Sequence, residues 1–86
     1  MNEIVAALME LVSEITEGEV RPDPGYTGPD SIRRLGLNSL LTLNFLVTVE
    51  DTYGIEWDDD LPEEVLASFE LMAGYIARQR AVAYAP

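Results

Sequence analysis

The sequence predicts a small all-α protein, a four-helix bundle of three main helices and one short helix, with a long first loop. Three observations carry this. Apolar residues recur at helical spacing in three separate segments; Gly and Pro punctuate the chain between them; and no pair of segments alternates as sheet strands do. Residues 3–17 form the first helix, with Ile4, Leu8, Leu11 and Ile15 in one stripe widened by Val5 and Val12, and Glu3, Glu10, Glu14 and Glu17 opposite. Gly18 stops it. Residues 18–37 contain Gly18, Pro22, Pro24, Gly25, Gly28 and Pro29, which forbid a continuous helix or a central strand. Ile32, Leu35 and Leu37 pin this loop to the core, and a short helical turn is expected around Asp30–Leu35.

Asn38 and Ser39 offer two good capping residues before a helical pattern from Leu40 to Tyr53, ended by Gly54. Leu43, Leu46 and Val47 are expected in its core stripe. Ile55-Glu56-Trp57 reads as an extended connection, with Trp57 packed on the helices. Asp58, Asp59 and Asp60 load negative charge ahead of Pro62, which suits the first turn of a short helix through Leu66. Ser68 caps a last helix whose buried stripe is Phe69, Met72, Ala73 and Ile76. Residues 1–80 are expected to form one domain and 81–86 a flexible tail.

Composition narrows the function. The 86 residues carry 16 acidic and 5 basic side chains, a formal charge of −11; every basic residue is Arg, and Lys, His and Cys are absent. Zinc sites of the usual kind, thiol nucleophiles, a Ser-His-Asp triad, Schiff bases and a P-loop are thereby excluded. A surface this acidic disfavours nucleic acid and anionic membranes. No apolar stretch approaches the ~20 residues of a membrane span, and the N-terminal run lacks the basic start of a signal peptide. With 48% hydrophobic residues the chain is too apolar for disorder. A soluble, cytoplasmic monomer with no catalytic activity of its own is expected.

The most informative segment is Leu35-Gly36-Leu37-Asn38-Ser39-Leu40. It resembles the Leu-Gly-x-Asp-Ser-Leu motif of acyl and peptidyl carrier proteins, found where a long loop meets the second helix. The resemblance extends through Glu50-Asp51-Thr52-Tyr53-Gly54-Ile55, the acidic run Asp58-Asp59-Asp60, and the closing pairs Ser68-Phe69 and Tyr75-Ile76. It is firmest over residues 32–77.

The resemblance implies that a phosphopantetheinyl transferase attaches phosphopantetheine from coenzyme A to Ser39, with Mg²⁺, between Asn38 and Leu40. The thiol of that arm would carry an acyl or aminoacyl group as a thioester, so the chain needs no Cys. Implied partners are the loading and processing enzymes of a biosynthetic pathway: an adenylating enzyme or acyltransferase, and a ketosynthase or condensation domain. In this family the attached chain lies in a groove between the second and third helices, here expected at Leu46, Val65 and Leu66.

Helix physics agrees with the site. The unpaired N–H groups and positive dipole end at Ser39 favour a phosphodiester anion, and Leu40 is expected to pack beneath the helix start. Ser39 acting only as a helix cap is the competing explanation. Ser13, Ser31 and Ser68 lack the surrounding pattern.

Two departures from the family matter. Asn38 stands where the family has Asp; it still caps but carries no charge, which bears on the choice of transferase. The second helix also lacks acids just after the serine, having Leu41, Thr42, Asn44, Phe45 and Thr48 there and acid only at Glu50 and Asp51. Leu41 and Phe45 either broaden the buried stripe or form a docking patch anchored by Phe45, with Thr48, Glu50 and Asp51 beside it.

That surface favours a carrier of polyketide or nonribosomal peptide assembly. A stand-alone peptidyl carrier for an amino acid comes next and a fatty-acid acyl carrier third. A starting Met1 and an end soon after the last helix favour a free-standing protein. An acidic helical interaction module without a prosthetic group is the alternative of a different class. Arg33 and Arg34 are expected to be solvated loop charges paired with nearby acids, the alternative being contact with the prosthetic phosphate or with partners. Adjacent Asp58, Asp59 and Asp60 lack the spacing of a calcium loop.

Overall fold

The computed structural model describes residues 2–84, with side chains described through Arg80. Helix α1 is Glu3–Ile15, α2 is Ser39–Tyr53, α3 is Glu63–Ala67 and α4 is Phe69–Tyr84; a 3₁₀ turn, Arg33–Leu35, interrupts the first loop. There is no strand among the described residues. The expected all-helical architecture is present, and α4 continues past Arg80. Positions 85–86 of the expected tail lie outside the described residues.

Local chemistry sets each boundary. Asn2 caps α1 by accepting the Ile4 N–H at 2.7 Å. The helix ends two residues earlier than the periodicity indicates, because Thr16 closes it: its hydroxyl donates to the Val12 carbonyl at 2.8 Å and accepts the Val20 N–H at 3.1 Å. Gly54, at φ 64°, ends α2 in the left-handed conformation and returns its N–H to the Glu50 carbonyl. Pro62 precedes α3, and Ser68 starts α4 by accepting the Leu71 N–H at 3.3 Å.

Helix α1 packs on α2 and α4, and α3 packs on α4. The core joins Val5, Leu8 and Val12 of α1 to Phe45 and Val49 of α2 and to Phe69, Met72 and Ile76 of α4. Ile4, Leu11 and Ile15 flank it, half-buried, so the buried face of α1 centres on its valines and Leu8.

The largest correction concerns α2. Leu43 and Val47, expected in the core, are 60% and 45% exposed, while Phe45 is fully buried and Leu46 sits at the core's edge. Near Ser39 apolar residues fall on every side of α2, interleaved with Thr42, Asn44 and Thr48, so periodicity could not choose its inner face. The aromatic ring decides it, since burying Phe45 removes the most apolar area from water.

The first loop is long but not loose. Phe69 donates its N–H to Ser31 Oγ at 3.0 Å, Ile32 donates to the Ala67 carbonyl at 2.8 Å, and Glu70 donates to the Thr27 carbonyl at 3.0 Å. These bonds stitch residues 27–32 across the α3–α4 junction, with Ser31 and Ile32 buried. Leu35 and Leu37 pack on the core from outside, as the sequence predicts.

Candidate functional site

The site forms where the first loop enters α2. After the 3₁₀ turn the chain passes through Gly36 at φ 70°, a left-handed position at which any side chain is strained. Half-buried Leu37 anchors the segment, and Asn38 is extended. Asn38 Oδ1 accepts the Leu41 N–H at 2.8 Å, so Asn38 is the helix cap. Ser39 is the first residue inside the helix and is exposed. Its hydroxyl is therefore not required as the N-terminal cap.

Around Ser39 the surface is uncharged along α2: no charged residue occurs between Ser39 and Val49. Leu40, the residue expected to pack beneath the helix start, is instead 76% exposed. Leu40, Leu43 and Val47 follow the i, i+3, i+7 register of a single helix face and form an exposed apolar stripe leading away from Ser39.

The expected docking residues disperse. Phe45 belongs to the core and cannot serve as a docking anchor. Leu41 is half-buried, and half-buried Thr48 turns its hydroxyl back to the Asn44 carbonyl at 2.7 Å. The Glu50 carboxylate accepts the Trp57 N–H at 3.1 Å, so it ties the α2–α3 connection to α2. Asp51 remains exposed. The sequence reading missed the stripe, although the seven-residue spacing of Leu40 and Val47 was its signal.

A cleft of about 240 Å³ opens between the first loop, the first turns of α2, and α3. Ile32, Leu37, Leu66 and Ala67 give it apolar walls, and Arg33, Thr42 and Glu63 supply its polar groups. Thr42 lies three residues after Ser39, on the same side of the helix. Of the three residues expected to line a groove between the second and third helices, Leu66 lines this cleft and Leu46 and Val65 do not; Thr42 is the lining residue from α2.

The remaining polar candidates have structural partners. Arg33 pairs with Asp30 at 2.9 Å, and the Arg34 guanidinium lies 4.5 Å from the Tyr26 ring centroid. Asp58 Oδ1 accepts the Asp60 N–H at 3.0 Å, closing a turn before α3. No acidic group suited to holding a metal occurs among the described residues, and no buried side-chain polar atom among them lacks a partner. Trp57 packs as expected, stacked on Tyr75 with centroids 5.5 Å apart and donating Nε1–H to the Leu46 carbonyl at 3.0 Å. No helix among the described residues is long and apolar enough to cross a membrane.

No protein-family model, curated protein or solved structure matches this chain.

Proposed function

We propose that this chain is a carrier protein that receives phosphopantetheine on the hydroxyl of Ser39 and tethers acyl or aminoacyl intermediates for other enzymes. The observation that carries the reading is the division of labour between two neighbours. Asn38 caps α2, which leaves Ser39 exposed at its start with no capping bond to give up on modification. A serine needed as the cap would lose an acceptor on becoming a phosphodiester; this one does not.

The surroundings fit the group. The first turns of α2 contain no carboxylate to repel a phosphodiester, and their unpaired N–H groups favour an anion. The adjoining cleft offers apolar walls beside the attachment point. When attached, the arm supplies the thiol that this sequence lacks. The chain's own residues do the rest: Asn38 fixes the helix start, Gly36 turns the loop and Leu37 anchors it to the core just before Ser39, and the Leu40–Leu43–Val47 stripe meets partner enzymes. Because that stripe is apolar close to Ser39, partner contact there depends less on charge than on shape. It suits secondary-metabolite assembly, with an amino-acid carrier second.

Intact-mass measurement after incubation with a broad-specificity transferase, coenzyme A and Mg²⁺ tests the reading. We expect a gain of one phosphopantetheine unit that Ser39→Ala abolishes. No gain with several transferases would overturn it in favour of an acidic interaction module.

A further inference from the structure

Resting on the carrier reading, we infer that Arg33 binds the phosphate of the arm, and that its contact with Asp30 is the resting pair of the unloaded protein. Arg33 and Thr42 border the same cleft, and Arg33 is its only cation among the described lining residues. Thr42 is one helical turn beyond Ser39, so a group attached to Ser39 and turned toward the cleft enters the space that Thr42 and Arg33 border.

The Arg33–Asp30 pair meets at Nη1 and Oδ1, 2.9 Å apart, with side chains 59% and 50% exposed. Exposed pairs of this kind contribute little to stability and exchange readily. A phosphodiester presents two oxygens that a guanidinium can grip in parallel. The exchange needs only a side-chain rotation, because Asp30 also anchors the turn through its backbone carbonyl, which accepts the Arg34 N–H at 2.8 Å.

The other four cations are placed elsewhere, Arg21 beside Gly18 just past the end of α1. Arg34 lies over Tyr26, Arg80 lies 5.7 Å from the Tyr53 ring centroid at the far end of α2, and Arg78 lies against Gly74 on α4. In a chain of net charge −11, one guanidinium at the cleft offsets the added negative charge where Glu63 would otherwise face it unopposed.

The test uses the full chain before and after loading, with intact mass recording the arm and nuclear magnetic resonance recording the contact. On loading, the Arg33 Nε–H resonance should shift, and the arm's phosphorus resonance should differ between wild type and Arg33→Gln. That difference should shrink in about 1 M salt, where the Debye length is about 3 Å. Arg34→Gln should leave the phosphorus resonance in place. Asp30→Asn should move the Arg33 resonance in the unloaded protein while preserving the phosphorus shift in the loaded one. A full mass gain with an unmoved Arg33 resonance and identical phosphorus signals in Arg33→Gln would overturn the inference alone. Absence of any mass gain would overturn the carrier reading and this inference with it.

Discussion

Asn38 Oδ1 accepts the backbone N–H of Leu41 at 2.8 Å, and this bond starts the helix on which Ser39 stands. Replacing Asn38 with Ala removes the acceptor and should lower unfolding free energy by about 1 kcal/mol. Asn38→Asp keeps the bond and adds a negative charge at the positive end of α2, so it should be at least as stable as wild type. Urea denaturation of the three proteins checks the order. An alanine variant as stable as wild type would show that the cap does not hold the site.

Phe45 and Leu43 are two residues apart on α2 yet should respond in opposite ways. Phe45 is buried, so Phe45→Ala should cost about 3–5 kcal/mol through lost burial and a cavity. Leu43→Ala and Val47→Ala should leave stability within about 0.5 kcal/mol. If the exposed stripe meets partner enzymes, these two variants should instead raise the partner's KM about fivefold or more, with little change in kcat. Unchanged turnover with both residues replaced would remove the stripe from the docking surface.

This contrast marks what the sequence could reveal. Caps and stops were legible at Asn38, Gly54 and Ser68, because each acts on backbone groups within a few residues of itself. The inner face of α2 was not, since Leu40, Leu43, Phe45, Leu46, Val47 and Val49 spread apolar side chains around the helix and Asn44 and Thr48 do not define one charged side. Its rotation is set by distant contacts: the α1 and α4 core around Phe45, and Trp57 bonding the Leu46 carbonyl. The cleft depends on how residues 27–37 thread across the α3–α4 junction. No local pattern announces that Ser31 reaches Phe69 across 38 residues.

That long-range bond gives a stability prediction. Ser31 Oγ is the acceptor for the buried Phe69 N–H, at the first residue of α4. Ser31→Ala leaves the N–H without this partner and should cost about 1–3 kcal/mol. Thr27→Val removes only an exposed hydroxyl contact with Glu70 and should stay within about 0.5 kcal/mol. Faster amide exchange at Phe69 and Ile32 in Ser31→Ala would place the loss at the loop's attachment, whereas equal costs for the two variants would contradict it.

Tyr53 gives the pH dependence its sign. Burial at the end of α2 raises its phenol above the ordinary value of 10.0, and the positive charge of Arg80 only partly opposes this. The folded state therefore holds the Tyr53 proton at pH values where the unfolded chain has released it. Its contribution is fully present below pH 10.0 and is lost as pH rises through the higher folded value. Stability should fall on the alkaline side, and Tyr53→Phe should flatten that limb relative to wild type while changing little at neutral pH. Arg80→Gln removes the opposing charge, so it should raise the Tyr53 phenol further and steepen the loss. Denaturation midpoints measured across the alkaline range for the three proteins would settle the matter; parallel curves for wild type and Tyr53→Phe would mean that Tyr53 ionises alike in both states.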